Sequence, residues 1–263
     1  MSIILDGTNG ISAANVFGRN VIINGDGRIN QRGYTSGTAT SGAGQYTLDR
    51  WKVVTSGQNL TFTGDDSRRV MTAPAGGAEQ VIEDKNIVGG TYVINWDGTA
   101  TATVNGSAVS KGGTFNLPAN THATVRFIGG TFTDVQIEAG SVATPFERRP
   151  FGMELALCQR YFEVVGHPFG AGRVNSAGQH RFQALFKHDK RTTPSVSFVG
   201  TFSVSDMLTD DRTATSGFSL QHLTPFGCFI VIASGSVANG NFSAGTVIYS
   251  LSQNGVLLVS AEL

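Results

Sequence analysis

Charge is what this chain has least of. Of its 263 residues only 14% are Asp, Glu, Lys or Arg, against about 25% in an average soluble domain. Lys plus Arg and Asp plus Glu number 19 each, so the formal net charge is zero. A neutral chain cannot displace many phosphate counterions, which excludes a nucleic-acid partner held by electrostatics. Cysteine is scarce too. Cys158 and Cys228 alone make neither a disulfide framework nor a zinc ligand spacing, and are expected as buried thiols. The histidines (His122, His167, His180, His188 and His222) show no HxH or HExxH arrangement, so no metal is expected. There is no GxSxG elbow, and no Walker or Rossmann fingerprint, so no catalytic residue and no cofactor is expected. Long apolar runs are missing as well. The densest, Cys228 to Ala233, falls far short of the roughly 20 residues of a membrane span. The chain does not open on a basic segment followed by an apolar one, so export is not indicated and no membrane insertion is expected.

Glycine is abundant. Its 34 residues are nearly twice the average share of about 7%, and they punctuate short Thr-, Val- and aromatic-rich segments. Tyr46 to Val54, Gly90 to Trp96, Ala100 to Val104 and Thr121 to Phe127 read as strands. So do Gln179 to Phe186, Pro194 to Gly200, Phe226 to Ala233, Thr246 to Ser252 and Val256 to Ala261. Asn105-Gly106 between two such segments predicts a tight hairpin. Asp97-Gly98, Gly112-Gly113 and Gly129-Gly130 mark further turns, and Gly166 to Gly178 reads as an exposed loop. One segment differs. After Pro150, Phe151 to Phe162 holds helix formers with Met153, Leu157 and Tyr161 at i, i+4 and i+8, which predicts a short helix burying that face. No fixed-period repeat is present, which argues against a propeller or β-helix.

The charge deficit is local. From Thr213 through Ala261 no Asp, Glu, Lys or Arg occurs. A monomer shows charge on the solvent faces of such strands, and obligate subunit interfaces are depleted in it. Burial between subunits is therefore expected here, with a neutral Ser/Thr/Asn/Gly surface as the alternative. The adjacent carboxylates Asp65-Asp66, Glu83-Asp84 and Asp210-Asp211 point to opposite faces of a strand, or lie in loops, and make poor glycosidase pairs. Lys187 to Arg191 is a basic cluster expected at a solvated hairpin tip, where it could also meet an anionic polysaccharide. Asn59, Asn105 and Asn241 head chance sequons.

Four motifs in order, NVIINGDGRINQRG (20–33), YTLDRW (46–51), VQIEAGSVATPFERRP (135–150) and ELALCQRYF (154–162), resemble those of tailed-phage tail-fibre and virion appendage proteins. LFKHDKRTTPSVSF (185–198) is similar to a strand-turn-strand of the same proteins, and MSIILDGTNGI to their short N-terminal segments. The resemblance implies an all-β chain. A segment at 1–19 would attach to other virion proteins. A jelly-roll β-sandwich similar to carbohydrate-binding modules would occupy 20–149. A connecting helix at 150–162 would lead to a second antiparallel β-sandwich domain at 163–263, the trimerisation module.

The expected role is a virion structural protein, assembled in a host cytoplasm as a homotrimer and contacting host-surface polysaccharide or lipopolysaccharide. An architectural head-decoration or tail-attachment protein without ligand, and a polysaccharide depolymerase, stand as alternatives. The resemblance places any sugar contact in the jelly roll, where Tyr34 and Tyr46 beside the Gly-rich loop are the candidate glycan-binding residues. Strand alternation in YTLDRW puts Tyr46, Leu48 and Arg50 on one face and Thr47, Asp49 and Trp51 on the other. Trp51 is expected as a core anchor with its indole N–H on a carbonyl, and Asp49 and Arg50 as pins for the preceding loop. Arg148 and Arg149 are expected to tie the modules together through carboxylates such as Glu138 or Glu147.

Overall fold

In the computed structural model, residues 4–6, 10–12, 18–166, 170–207, 211–238, 240, 242–251 and 255–263 are described. The chain is all-β, with 44% strand and 5% helix. It divides into two compact units after Cys158, with Leu263 counted in the first. Every strand pairing among the described residues is antiparallel.

The first unit is two sheets around one core. Ser107–Val109, Thr101–Val104, Ala123–Ile128, Ala78–Ile82, Lys52–Val53 and Gln45–Tyr46 form the six-stranded sheet in that order. Thr114–Leu117, Gly90–Asp97, Thr131–Ala139, Arg68–Thr72 and Thr61–Asp65 form the five-stranded one. Alternation supplies the core, as in Ala123–Ile128, where Ala123, Val125 and Phe127 are buried and their neighbours are not. An aromatic knot joins the layers. Phe127 of one sheet stacks on Phe132 of the other with centroids 4.6 Å apart, and Trp51 meets Phe132 edge-on at 5.1 Å. Such pairs add about 0.5–1.5 kcal/mol each beyond burial. The Asn105-Gly106 turn forms with both φ angles positive, 49° and 81°. At Gly98, φ is 120° and a Cβ would lie 2.1 Å from the Thr131 carbonyl oxygen, so only glycine closes that turn.

The second unit has a three-stranded sheet, Phe162–Gly166, Val256–Ser260 and Ser195–Val199. Its partner has seven strands in the order Asp211–Ala214, Phe202–Ser205, Val247–Leu251, Ala171–Val174, His180–Leu185, Gly227–Ile232 and Phe218–Thr224. Val165, Leu257 and Val259 from the small sheet meet Phe182, Ile230, Ile232 and Ile248 from the large one in a single core. Most expected strands lie within two residues of those seen.

Four local expectations are corrected. Tyr46 to Val54 is not one strand. Two two-residue strands flank a tight turn in which Arg50 takes φ 69°, so Leu48, Asp49, Arg50 and Trp51 are all buried and the two-face alternation is lost. Gly166 to Gly178 is not an open loop, since Ala171–Val174 is a strand within the large sheet. The helix, Phe151–Gln159, does not bury Met153, which is 46% exposed. It buries Glu154 and Cys158, because the Glu154 carboxylate accepts hydrogen bonds from the Asn24 backbone N–H at 2.5 Å and from Arg149 at 3.3 Å. Its ligands, rather than its apolar period, set its rotation. Lys187 to Arg191 is solvated only in part: Lys187, His188 and Asp189 are exposed, but Lys190 is buried against Glu163.

Candidate functional site

In the first unit the residues singled out above build structure. Trp51 is fully buried and donates its indole N–H to the Asn24 carbonyl at 2.9 Å. The Asp49 carboxylate accepts from the Gln31 backbone N–H (2.6 Å) and side-chain amide (2.8 Å), while Arg50 donates to the Val81 carbonyl at 2.6 Å. Arg149 is buried between Glu147 (3.5 Å) and Glu154 (3.3 Å), and also donates to the Ile22 and Asn20 carbonyls. Arg148 is exposed and donates to the Ser67 carbonyl. Glu138 instead binds Thr144 and Gln136. These contacts lie inside the first unit. Asp26, beside Arg28 at 3.3 Å, is held above the ordinary carboxylate range by burial, against the lowering pull of that guanidinium.

Tyr34 and Tyr46 are half-buried, and their hydroxyls are engaged internally. Tyr34 donates to the Thr38 and Leu60 carbonyls, with its ring against Phe62. Tyr46 donates to the Leu263 carbonyl at 2.5 Å, and Arg32 and Lys52 lie over its ring. The two rings enter separate contacts. In the 1–19 segment, Ile4–Asp6 and Gly10–Ser12 form a two-stranded hairpin; its other positions up to residue 17 lie outside the described residues.

Of the paired carboxylates, Asp66 is exposed, but Glu83 is buried, against the expectation of solvated edges; Asp210 lies outside the described residues. Among the described residues no three His, Cys, Asp or Glu side chains converge as metal ligands. None of their helices is long and apolar enough to cross a membrane.

The second unit carries a groove that sequence reasoning missed. It opens on the outward face of the seven-stranded sheet, with a volume of about 530 Å³, and its lining includes Arg173, Arg181, Gln183, Gln221, His222 and Phe229. Antiparallel register builds it in two rows. In one, Phe229 is 40% exposed and lies directly between Gln183 on one neighbouring strand and Gln221 on the other. In the next, Arg181 pairs across the strands with Arg173, and Arg173 with Val247. Rows two residues apart along a strand are about 7 Å from each other.

A bulge completes the site. The register between Phe218–Thr224 and Gly227–Ile232 slips between Gln221 and Thr224, and His222 takes φ 50° there. Its ring stands edge-on to Phe229 with centroids 6.0 Å apart at 81°. Bulges with left-handed non-glycine residues recur beside binding sites because they re-aim a side chain.

The polar groups are unusually open. Among the described residues the side-chain amides of Gln183 and Gln221 and the guanidinium of Arg173 have no hydrogen-bond partner. Arg181 donates to the Gln179 side chain at 3.1 Å, but its Nε is buried without a partner. The described lining residues include no carboxylate. Like charges directly opposed on a sheet destabilise it, and among the described residues of the groove none neutralises this pair.

The charge-free segment contributes to both faces of this sheet. Cys228, Ile230, Ile232 and Ile248 point into the core, while Ser219, Gln221, His222, Thr224, Phe229, Val247 and Tyr249 form a neutral, partly aromatic outer surface. No protein-family model matches the chain, and no curated protein matches it significantly.

Proposed function

We propose that this chain is a structural subunit of a tailed-phage virion, a fibre or other appendage that contacts host-surface glycans during adsorption. The four ordered motifs support the class. The observation that carries the binding role is the row Gln221–Phe229–Gln183. An exposed ring offers a flat apolar face to the C–H face of a sugar, and free carboxamides on either side donate to and accept from hydroxyls. That shifts the sugar contact from the jelly roll, whose candidate tyrosine hydroxyls are engaged internally, to the second unit.

A hydrolytic reading is weaker at this groove. Two carboxyl groups are the usual requirement for glycoside hydrolysis, and the described lining residues include none. The 1–19 segment is proposed to join other virion proteins, and the second unit to assemble as a homotrimer.

The purified chain, labelled and mixed with susceptible cells, should bind saturably and be displaced by polysaccharide extracted from those cells. Antibody against it should label intact particles in electron micrographs, and native mass measurement should give a trimer. Absence of cell binding with particle labelling retained would favour an architectural spacer. Release of reducing ends from the polysaccharide would establish a depolymerase.

A further inference from the structure

We infer that the groove on the seven-stranded sheet binds an acidic polysaccharide, with a uronate carboxylate held by Arg173 and Arg181 while the sugar ring rests on Phe229. This deepens the glycan-binding reading and rests on it.

Charge complementarity selects the occupant. Arg173 and Arg181 face each other across adjacent strands without a carboxylate among the described lining residues. Guanidinium groups present parallel N–H donors that match a planar carboxylate in bidentate fashion. An anion placed between them relieves their mutual repulsion and satisfies the buried Nε of Arg181 together with the unpartnered Arg173.

Spacing selects a sugar acid rather than a bare anion. The arginine row lies about 7 Å from the Gln183–Phe229–Gln221 row. That is the scale of one pyranose ring with its carboxylate at one end. The ring would lie over Phe229 and its hydroxyls would meet the amides of Gln183 and Gln221, with His222 closing the edge. A groove open on the sheet face admits a chain rather than only a terminus.

The test is calorimetric titration of the full chain with uronate-bearing oligosaccharides (galacturonate, glucuronate, mannuronate and guluronate), neutral oligosaccharides of equal length, and poly-glutamate peptide. At least one uronate should bind saturably and more tightly than its neutral counterpart. The variant R173Q should weaken it about tenfold and R173Q/R181Q further, without effect on neutral sugars. Arg173 is exposed, without a hydrogen-bond partner among the described residues and opposed by Arg181, so R173Q should melt no lower than the wild type and remain interpretable if the double variant does not fold.

Equal binding of acidic and neutral sugars, indifferent to R173Q, would overturn the inference and leave the glycan reading standing. Binding of poly-glutamate as tight as that of any uronate would overturn it in favour of an acidic peptide. No binding of any carbohydrate would remove both.

Discussion

Lys190 and Glu163 form an ion pair of 2.5 Å in which neither side chain reaches solvent. Lys190 also donates to the Gln159 carbonyl, and Glu163 accepts from the Lys187 backbone N–H at 3.0 Å. Burial pulls the Lys190 ammonium below the ordinary lysine range, partly offset by the Glu163 charge. Removing one partner leaves an uncompensated buried charge. Lys190→Met should therefore destabilise the second unit by about 3–5 kcal/mol. Replacing both residues by apolar ones of similar volume should recover much of that loss. Urea denaturation of the wild type and the two variants checks this, and an unchanged midpoint for Lys190→Met would contradict it.

Neighbouring arginines should behave differently. Arg149 is buried between Glu147 and Glu154, whereas Arg148 is exposed. Arg149→Met strands the buried Glu147, leaves Glu154 paired only with Arg28 at 3.9 Å among the described residues, and should cost about 3–5 kcal/mol. Arg148→Met should cost less than about 1 kcal/mol. Parallel denaturation curves decide it, and equal losses would show that the clamp is misassigned.

His180 should make the second unit acid-sensitive. It is fully buried, neither ring nitrogen has a hydrogen-bond partner among the described residues, and its ring meets Phe242 edge-on at 5.8 Å. Burial, with the charge of Arg212 added, holds its pKa below the ordinary 6.5. The unfolded chain protonates near 6.5 while the fold stays neutral, so the unfolded state binds more protons as pH falls. Stability is complete above about pH 6.5 and declines below it, by at most about 1.4 kcal/mol per pH unit. The variant His180→Leu should flatten that part of the profile. A wild-type profile as flat as the variant's would contradict the assignment.

The cysteines should be inert in the fold. Both are buried, and burial pushes the Cys228 thiol up to about 11. Iodoacetamide at pH 8 should label neither in the native protein and both after denaturation, as mass spectrometry would show. Rapid native labelling of Cys228 would mean that its strand opens readily.

What the sequence disclosed was local. Asn105-Gly106 carries its own turn geometry, and Trp51 its own demand for burial and a carbonyl, so both could be read from a few residues. What escaped depends on pairing between distant segments. Lys190 sits in a basic run that reads as solvent-facing, until Glu163 is brought beneath it from another strand. The helix reads as burying Met153, until the polar ligands of Glu154 turn it. The groove needs five strands from across the second unit, and its arginines lie on segments read as an exposed loop and an ordinary strand. One signal was present. Cys228, Ile230 and Ile232 alternate with Phe229 and Val231, and period-two reasoning puts Phe229 outside if only one face of that sheet is covered.

The central claim, that Phe229 on the outer face of the large sheet contacts a host polysaccharide, is tested most directly by titrating polysaccharide extracted from susceptible cells into wild-type and Phe229→Ala protein. Phe229 is 40% exposed, so the variant should fold normally. The account predicts saturable binding by the wild type and affinity weaker by about tenfold or more in the variant. Equal binding by the two proteins, or no binding by either, would contradict it.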